Sequence, residues 1–188
     1  MNKWLFISVF ALALALCGCG EKKGSGNADD KYAEFEAKSH QKKGEEAAMD
    51  WNSVNAARED EDIDFFIQRY GWKAERRGNG LRVEVLEEGS GRKIQSEDIV
   101  TLEYTTCLLT GDTVYTSRKQ GPKLFKVDKS EEVAGLNEAV KSLRKGGKAH
   151  VVIPSFLGYG VAGDGGRIRG KVSLAMTIEV TDVQYGMD

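Results

Sequence analysis

The stretch from Val172 to Thr181 constrains the fold more than any other. Val172, Leu174, Met176, Ile178 and Val180 alternate with Ser173, Thr177, Glu179 and Thr181. A period of two places the apolar set on one face of a strand and the polar set on the other. The same period recurs at Leu81, Val83 and Val85, which alternate with Arg82 and Glu84, and at Val100, Leu102 and Tyr104, which alternate with Thr101 and Glu103. Strands half-buried in this way predict a mainly antiparallel sheet with one solvated side. Between them a single helical face, Leu136, Ala139, Val140 and Leu143, ends at Gly146-Gly147. The expected class is therefore α+β, a twisted antiparallel β-sheet wrapped on one short α-helix.

A helical segment precedes this domain. Ile63, Phe66, Ile67 and Tyr70 recur at i, i+3, i+4 and i+7, and Gly71 follows as a left-handed stop. The acidic run Glu59 to Asp64 suits the first turn of that helix, where the dipole favours negative charge. It lacks the glycine turn and terminal glutamate of an EF-hand calcium loop. Met49, Trp51 and Val54 extend the pattern upstream, and their apolar side could pack on the domain or on a second copy of the chain. Residues 20–46 are polar and rich in Lys, Glu, Gly and Ala, which reads as a flexible tether with at most a transient helix, and with His40 solvated in it.

The chain opens as an address. Lys3 precedes an apolar run of 13, Trp4 to Leu16, too short to span a membrane but right for a secretory signal. Leu16-Cys17-Gly18-Cys19 resembles a bacterial lipobox, which makes Cys19 the lipid-modified residue; a plain signal cut near Gly18 is the alternative. Cys107 is then left alone and reads as a small buried hydrophobe. The expected organisation is a signal over 1–18, a tether over 19–44, a helical segment over 45–73 and the sheet domain over 74–188.

Several chemistries drop out. With 27 basic and 29 acidic residues the net charge is -2, which gives no field for nucleic acid. Three Cys and two His make neither a disulfide scaffold nor a metal cluster, so no metal or cofactor is expected. Gly158 to Gly163 matches the dinucleotide fingerprint G-x-G-x-x-G, but Asp164-Gly165-Gly166 follows where a helix must begin. No G-x-S-x-G elbow supplies a nucleophile, and His150 reads as an outward-facing strand residue. What remains is the long glycine-rich loop Ser155 to Lys171, which carries Tyr159 and Ile168 and could wall an apolar pocket over the sheet.

Four stretches, in order, resemble the FKBP family of peptidyl-prolyl isomerases over about residues 80–185. They are Val83 to Gly91; Leu102 to Thr105 with Leu109 to Ser117; Glu132 to Val140; and Gly146 to Pro154 with Tyr159-Gly160. The resemblance implies rotation of X-Pro bonds in proline-containing polypeptide clients, without cofactor. It implies that Tyr104 forms a pocket wall, that the Val133 backbone N–H holds a ligand carbonyl, and that the Tyr159 hydroxyl donates to another. Phe125 and Ile168 match further lining. Val114-Tyr115 stand where the family has an aromatic followed by Asp; Leu136 replaces a pocket-floor Trp, and Met176 a far-wall Phe. Ile168-Arg169-Gly170 replaces Ile-Pro-Pro. Together with the address, this implies a lipoprotein isomerase in the cell envelope, held to a membrane at Cys19 and facing the periplasm or exterior. The alternatives are a non-catalytic chaperone or peptide-binding lipoprotein with the same pocket, and a structural lipoprotein that dimerises through residues 45–70.

Overall fold

A computed structural model describes residues 28–186. The readings placed on residues 1–18 and on Cys19 lie outside the described residues. The described chain divides into two units between Ala47 and Ala48.

Helix α1 runs over Ala28–Tyr70. Residues 28–44, expected as a flexible tether, are therefore helical. Ala, Glu, Lys and Gln are strong helix formers, and pairs one turn apart join Lys38 to Glu34 at 2.7 Å and Gln41 to Glu45 at 3.0 Å. His40 is exposed, as are Met49 and Val54.

In the second unit, seven antiparallel strands form one sheet. They are β1 (Glu75–Arg76), β2 (Arg82–Glu87), β3 (Ile99–Leu108), β4 (Thr113–Thr116), β5 (Lys123–Lys126), β6 (Lys148–Ile153) and β7 (Leu174–Gln184). Two short helices interrupt them, α2 (Ser117–Gln120) and α3 (Ala134–Val140). The spatial order is β1-β2-β6-β7-β3-β4, with β5 also paired to β3. The longest ladder joins β3 to β7, from Ile99 opposite Gln184 to Leu108 opposite Leu174. Against the concave face lies α3, where Leu136, Ala139 and Val140 are buried together with Leu143 in the turn beyond it. Gly135 lets the helix approach, since a Cβ there would overlap the Ile153 side chain.

The far side of the sheet is not wholly solvated, as the alternation alone would have it. Ile63 and Phe66 of α1 cover Val152 and Ala175, with Ile67, Trp72 and Leu109 around them. Gly71 ends the helix at φ +66°, and the turn lays Trp72 flat on His150, ring centroids 4.0 Å apart. His150 does face outward, away from the Ala149 and Val151 side of β6, but is half-buried under Trp72, and its Nδ1 lies 3.0 Å from Glu84.

The acidic run sits inside α1, not in its first turn. Its partners explain it. Buried Arg82 reaches Asp64 at 2.9 Å and Asp60 at 3.0 Å, while Glu59 accepts from the Ser155 backbone N–H at 2.6 Å and from the Ser173 hydroxyl. Cys107, expected to be buried, is half-exposed beside Thr113, with its Sγ 3.5 Å from the hydroxyl. It lies near the end of β3, where the pairing with β4 shifts register.

Candidate active site

A cavity of about 320 Å³ opens between α3, the concave face of the sheet and the loop before β7. Each wall follows from strand alternation or helix spacing. β3 presents Tyr104 and Thr106, two residues apart and hence on one face; β7 presents Leu174 and Met176 from the same side. Leu136 rises from α3 as a fully buried floor, and Glu132-Val133 leads into that helix. Tyr115, Gln120 and Lys123 close one rim, and Tyr159 and Asp164 come from the loop.

That loop is folded rather than slack. A 3-10 turn, Ser155–Leu157, starts it. The Lys171 N–H bonds the Gly160 carbonyl at 2.7 Å, and the Asp164 N–H bonds that of Ile168 at 3.0 Å. Gly170 permits the crossing, because a Cβ would collide with the Val161 carbonyl oxygen. Asp164 organises the tip: Oδ1 accepts from the Gly166 and Ile168 N–H groups at 2.8 and 2.9 Å. Oδ2 accepts from the Tyr115 hydroxyl at 2.5 Å, which ties the β4 rim to the loop. Burial acts to raise the Asp164 carboxyl, but the Tyr115 and backbone hydrogen bonds outweigh it and hold its pKa below the ordinary value.

The three tyrosines differ in their bonding. The Tyr104 hydroxyl donates to Gln120 at 2.9 Å, and that of Tyr115 is held by Asp164. The Tyr159 hydroxyl has no hydrogen-bond partner among the described residues, and neither has the Val133 backbone N–H. Burial, reinforced by the negative charge of Glu132 and Asp164, pushes the Tyr159 hydroxyl up to about 12. Burial, then Glu132 and Glu103, raises Tyr104 as well. Both stay protonated at any physiological pH, so Tyr159 is a free donor in the cavity. Lys123 and Glu132 pair at 2.5 Å on the rim, and the ammonium lies 5.3 Å from the centre of the Tyr104 ring.

Of the residues singled out in the sequence, Tyr104, Tyr115, Val133, Leu136, Tyr159 and Met176 meet at this cavity. Phe125, Ile168 and Val114 do not line it. Phe125 and Ile168 are buried in the core behind it, and Val114 packs half-buried against that core. The Asp164 bond to the Ile168 N–H fixes the turn from which that side chain enters the core. Thr106, Gln120, Lys123, Glu132, Asp164 and Leu174 line the cavity without having been anticipated. For Asp164 a signal existed, because Asp before Gly165-Gly166 is an Asx-turn pattern. Lys123 and Glu132 gave none, since their pairing depends on the fold. Among the described residues no group of His, Cys, Asp and Glu could hold a metal ion.

The FKBP-type peptidyl-prolyl cis-trans isomerase pattern matches residues 90–181. The chain is 33% identical over 124 residues to the FKBP-type peptidyl-prolyl cis-trans isomerase FkpA of Buchnera aphidicola, covering 64% of this chain and 48% of that protein. It is 32% identical over 106 residues to the FK506-binding protein of Neisseria meningitidis, covering 55% of this chain and 96% of that one. Among solved structures, FkpA from Escherichia coli superposes with a TM-score of 0.60 at 30% identity, covering 87% of this chain and 74% of that chain. This chain belongs to the FKBP-type peptidyl-prolyl cis-trans isomerase family. Its match spans about half the length, or less, of several curated relatives: 48% of the Buchnera protein and 38% of FkpA from Neisseria meningitidis.

Proposed function

We propose that this chain is a peptidyl-prolyl cis-trans isomerase of the cell envelope, acting on proline-containing polypeptides there. The observation that carries the reading is a free donor in a cavity with an apolar floor. The unpartnered Tyr159 hydroxyl shares its cavity with buried Leu136, Leu174 and Met176. Amide resonance opposes rotation of an X-Pro bond with a barrier of about 18–20 kcal/mol. An apolar cavity disfavours the charge-separated resonance form, so the bond twists more easily inside it. The Tyr159 hydroxyl and the Val133 N–H hold the carbonyls flanking that bond, and Tyr104 walls the proline ring. Fixed donors of this kind need no reorganisation as the bond turns. Each 1.4 kcal/mol or so removed from the barrier is about tenfold in rate, so two hydrogen bonds and a dry floor suffice. No nucleophile or proton transfer takes part.

Residues 1–18 act as a signal, Cys19 carries the lipid, and residues 74–188 form the isomerase domain, facing the periplasm or exterior. Exposed Met49, Val54 and Phe65 support a second copy meeting this one through residues 45–70. A second reading, a pocket that binds chains without rotating them, is favoured by Tyr115, whose hydroxyl is tied up by Asp164, and by Leu136 on the floor. Exchange NMR on a short X-Pro peptide, without a coupled protease, separates the two. Catalytic amounts of protein speed cis/trans exchange if the first holds. Peptide resonances that shift with protein while the exchange rate stays at its uncatalysed value would establish the second.

A further inference from the structure

The cavity walls carry three charged side chains, Lys123, Glu132 and Asp164. Lys123 and Glu132 neutralise one another in an ion pair whose members are only 25% and 19% exposed. Asp164 has no cation beside it among the described residues. Its partners are a hydroxyl and two backbone N–H groups. Those donors fix the carboxylate in place and keep it ionised, yet leave its unit charge uncancelled. The nearest arginine in sequence does not cancel it. Arg167 turns its guanidinium to the Val114 carbonyl at 3.2 Å, and its backbone N–H to the Tyr115 hydroxyl at 3.3 Å. The cavity thus holds one net negative charge on its loop wall. Three tyrosine rings line the same space, and ring faces attract cations as well. Partial burial weakens solvent screening, so this charge acts more strongly on a bound chain than a surface carboxylate would.

We propose that Asp164 is a specificity-determining residue, giving the pocket a preference for chains that carry Lys or Arg beside the proline over chains that carry Glu or Asp there. The inference rests on reading the cavity as a proline site. A basic flanking side chain brings its cation to the loop wall, where Oδ2 keeps a lone pair free beyond the Tyr115 bond. An acidic side chain meets repulsion at the same place, and a neutral one meets neither.

The test uses the whole protein and peptides that differ only in the residue flanking proline: Lys, Gln or Glu. NMR titration gives affinities, and exchange gives rates. The Lys peptide is expected to bind about five- to tenfold tighter than the Glu peptide at low ionic strength, with Gln between them, and the ratio should shrink as salt is added. In Asp164→Asn the ratio should fall to within about twofold of one, while the amide oxygen still accepts from the Gly166 and Ile168 N–H groups. Asp164→Ser serves the same purpose if the Asn variant does not fold. Equal affinities in the wild type, or a preference that survives loss of the carboxylate, would overturn the proposal. Rate acceleration without charge preference sinks this inference and leaves the isomerase reading standing. A charge preference without any acceleration does the reverse.

Discussion

Tyr159 owes its usefulness to what it lacks. Its hydroxyl is half-buried, unpartnered among the described residues and pushed up to about 12 by burial and by the charges of Glu132 and Asp164. A donor so placed does not ionise in the working range, and Asp164, lowered by its hydrogen bonds against the effect of burial, does not become protonated there. The rate of X-Pro exchange should accordingly stay constant between about pH 6 and 9, in contrast to an enzyme that moves protons. A bell-shaped profile over that range would mean that a titrating group takes part in the chemistry. Asp98 is the contrasting residue. It is 1% exposed and bonded by the Arg92 guanidinium at 2.7 and 2.8 Å and by the Gln95 and Gly186 N–H groups at 2.9 Å. Burial acts to raise its pKa, but Arg92 and the backbone donors prevail and lower it. A carboxyl lowered in the folded state contributes stability that is complete above its unfolded value. That contribution is lost as pH falls through the unfolded and then the folded value, from about pH 4 downward. Asp98→Asn should lower stability at pH 7 by about 1–3 kcal/mol and flatten its decline below pH 4, read from urea midpoints across pH.

The elements divide cleanly into those that make the site and those that hold it. Leu174 and Met176 of β7 face the cavity, whereas Ala175 between them faces α1. Phe66 therefore supports the sheet from the side opposite the pocket. Phe66→Ala empties a site that is 3% exposed and should cost about 3 kcal/mol in a denaturant melt, with isomerase activity per folded molecule retained. Loss of activity in proportion to stability would couple helix and pocket more tightly than their opposite faces allow. This double use of β7 also marks where the sequence was legible. The alternation from Val172 to Val180 foretells which side chains face α3, because a period of two is local. Burial of Val152 and Ala175 on the other face was hidden, since it depends on a helix whose partners lie about a hundred residues away. The same reason explains the acidic run. Glu59 bonds Ser155 and Ser173, and Asp60 and Asp64 bond Arg82, so residues that resemble a helix start are a docking face. In the upstream segment, low hydrophobicity suggested a tether, yet strong helix formers and charges one turn apart make a helix there from Ala28 onward.

At the scale of the molecule, family membership and the cavity point the same way. Six of the residues singled out in the sequence converge on one cavity: Tyr104, Leu136 and Met176 lie on strand or helix faces that the sequence pattern fixed, whereas Tyr115, Val133 and Tyr159 were legible only through the family resemblance. The polar rim was less legible: Lys123 opens β5, Glu132 stands just before α3 and Asp164 lies in the loop before β7, and the three meet only in the folded chain. The envelope address, the lipid at Cys19 and pairing through residues 45–70 belong to the proposed function. Sedimentation of the chain with and without residues 45–70 addresses the last of these, and halved mass on removal is the expected result. The central claim is that fixed donors above an apolar floor turn X-Pro bonds. The most direct measurement is kcat/KM for one X-Pro peptide by exchange NMR, on the wild type and Tyr159→Phe side by side, with thermal unfolding to show that both are folded. Acceleration by the wild type that falls more than about tenfold in the variant is the predicted result. Equal rates in the two folded proteins would contradict it.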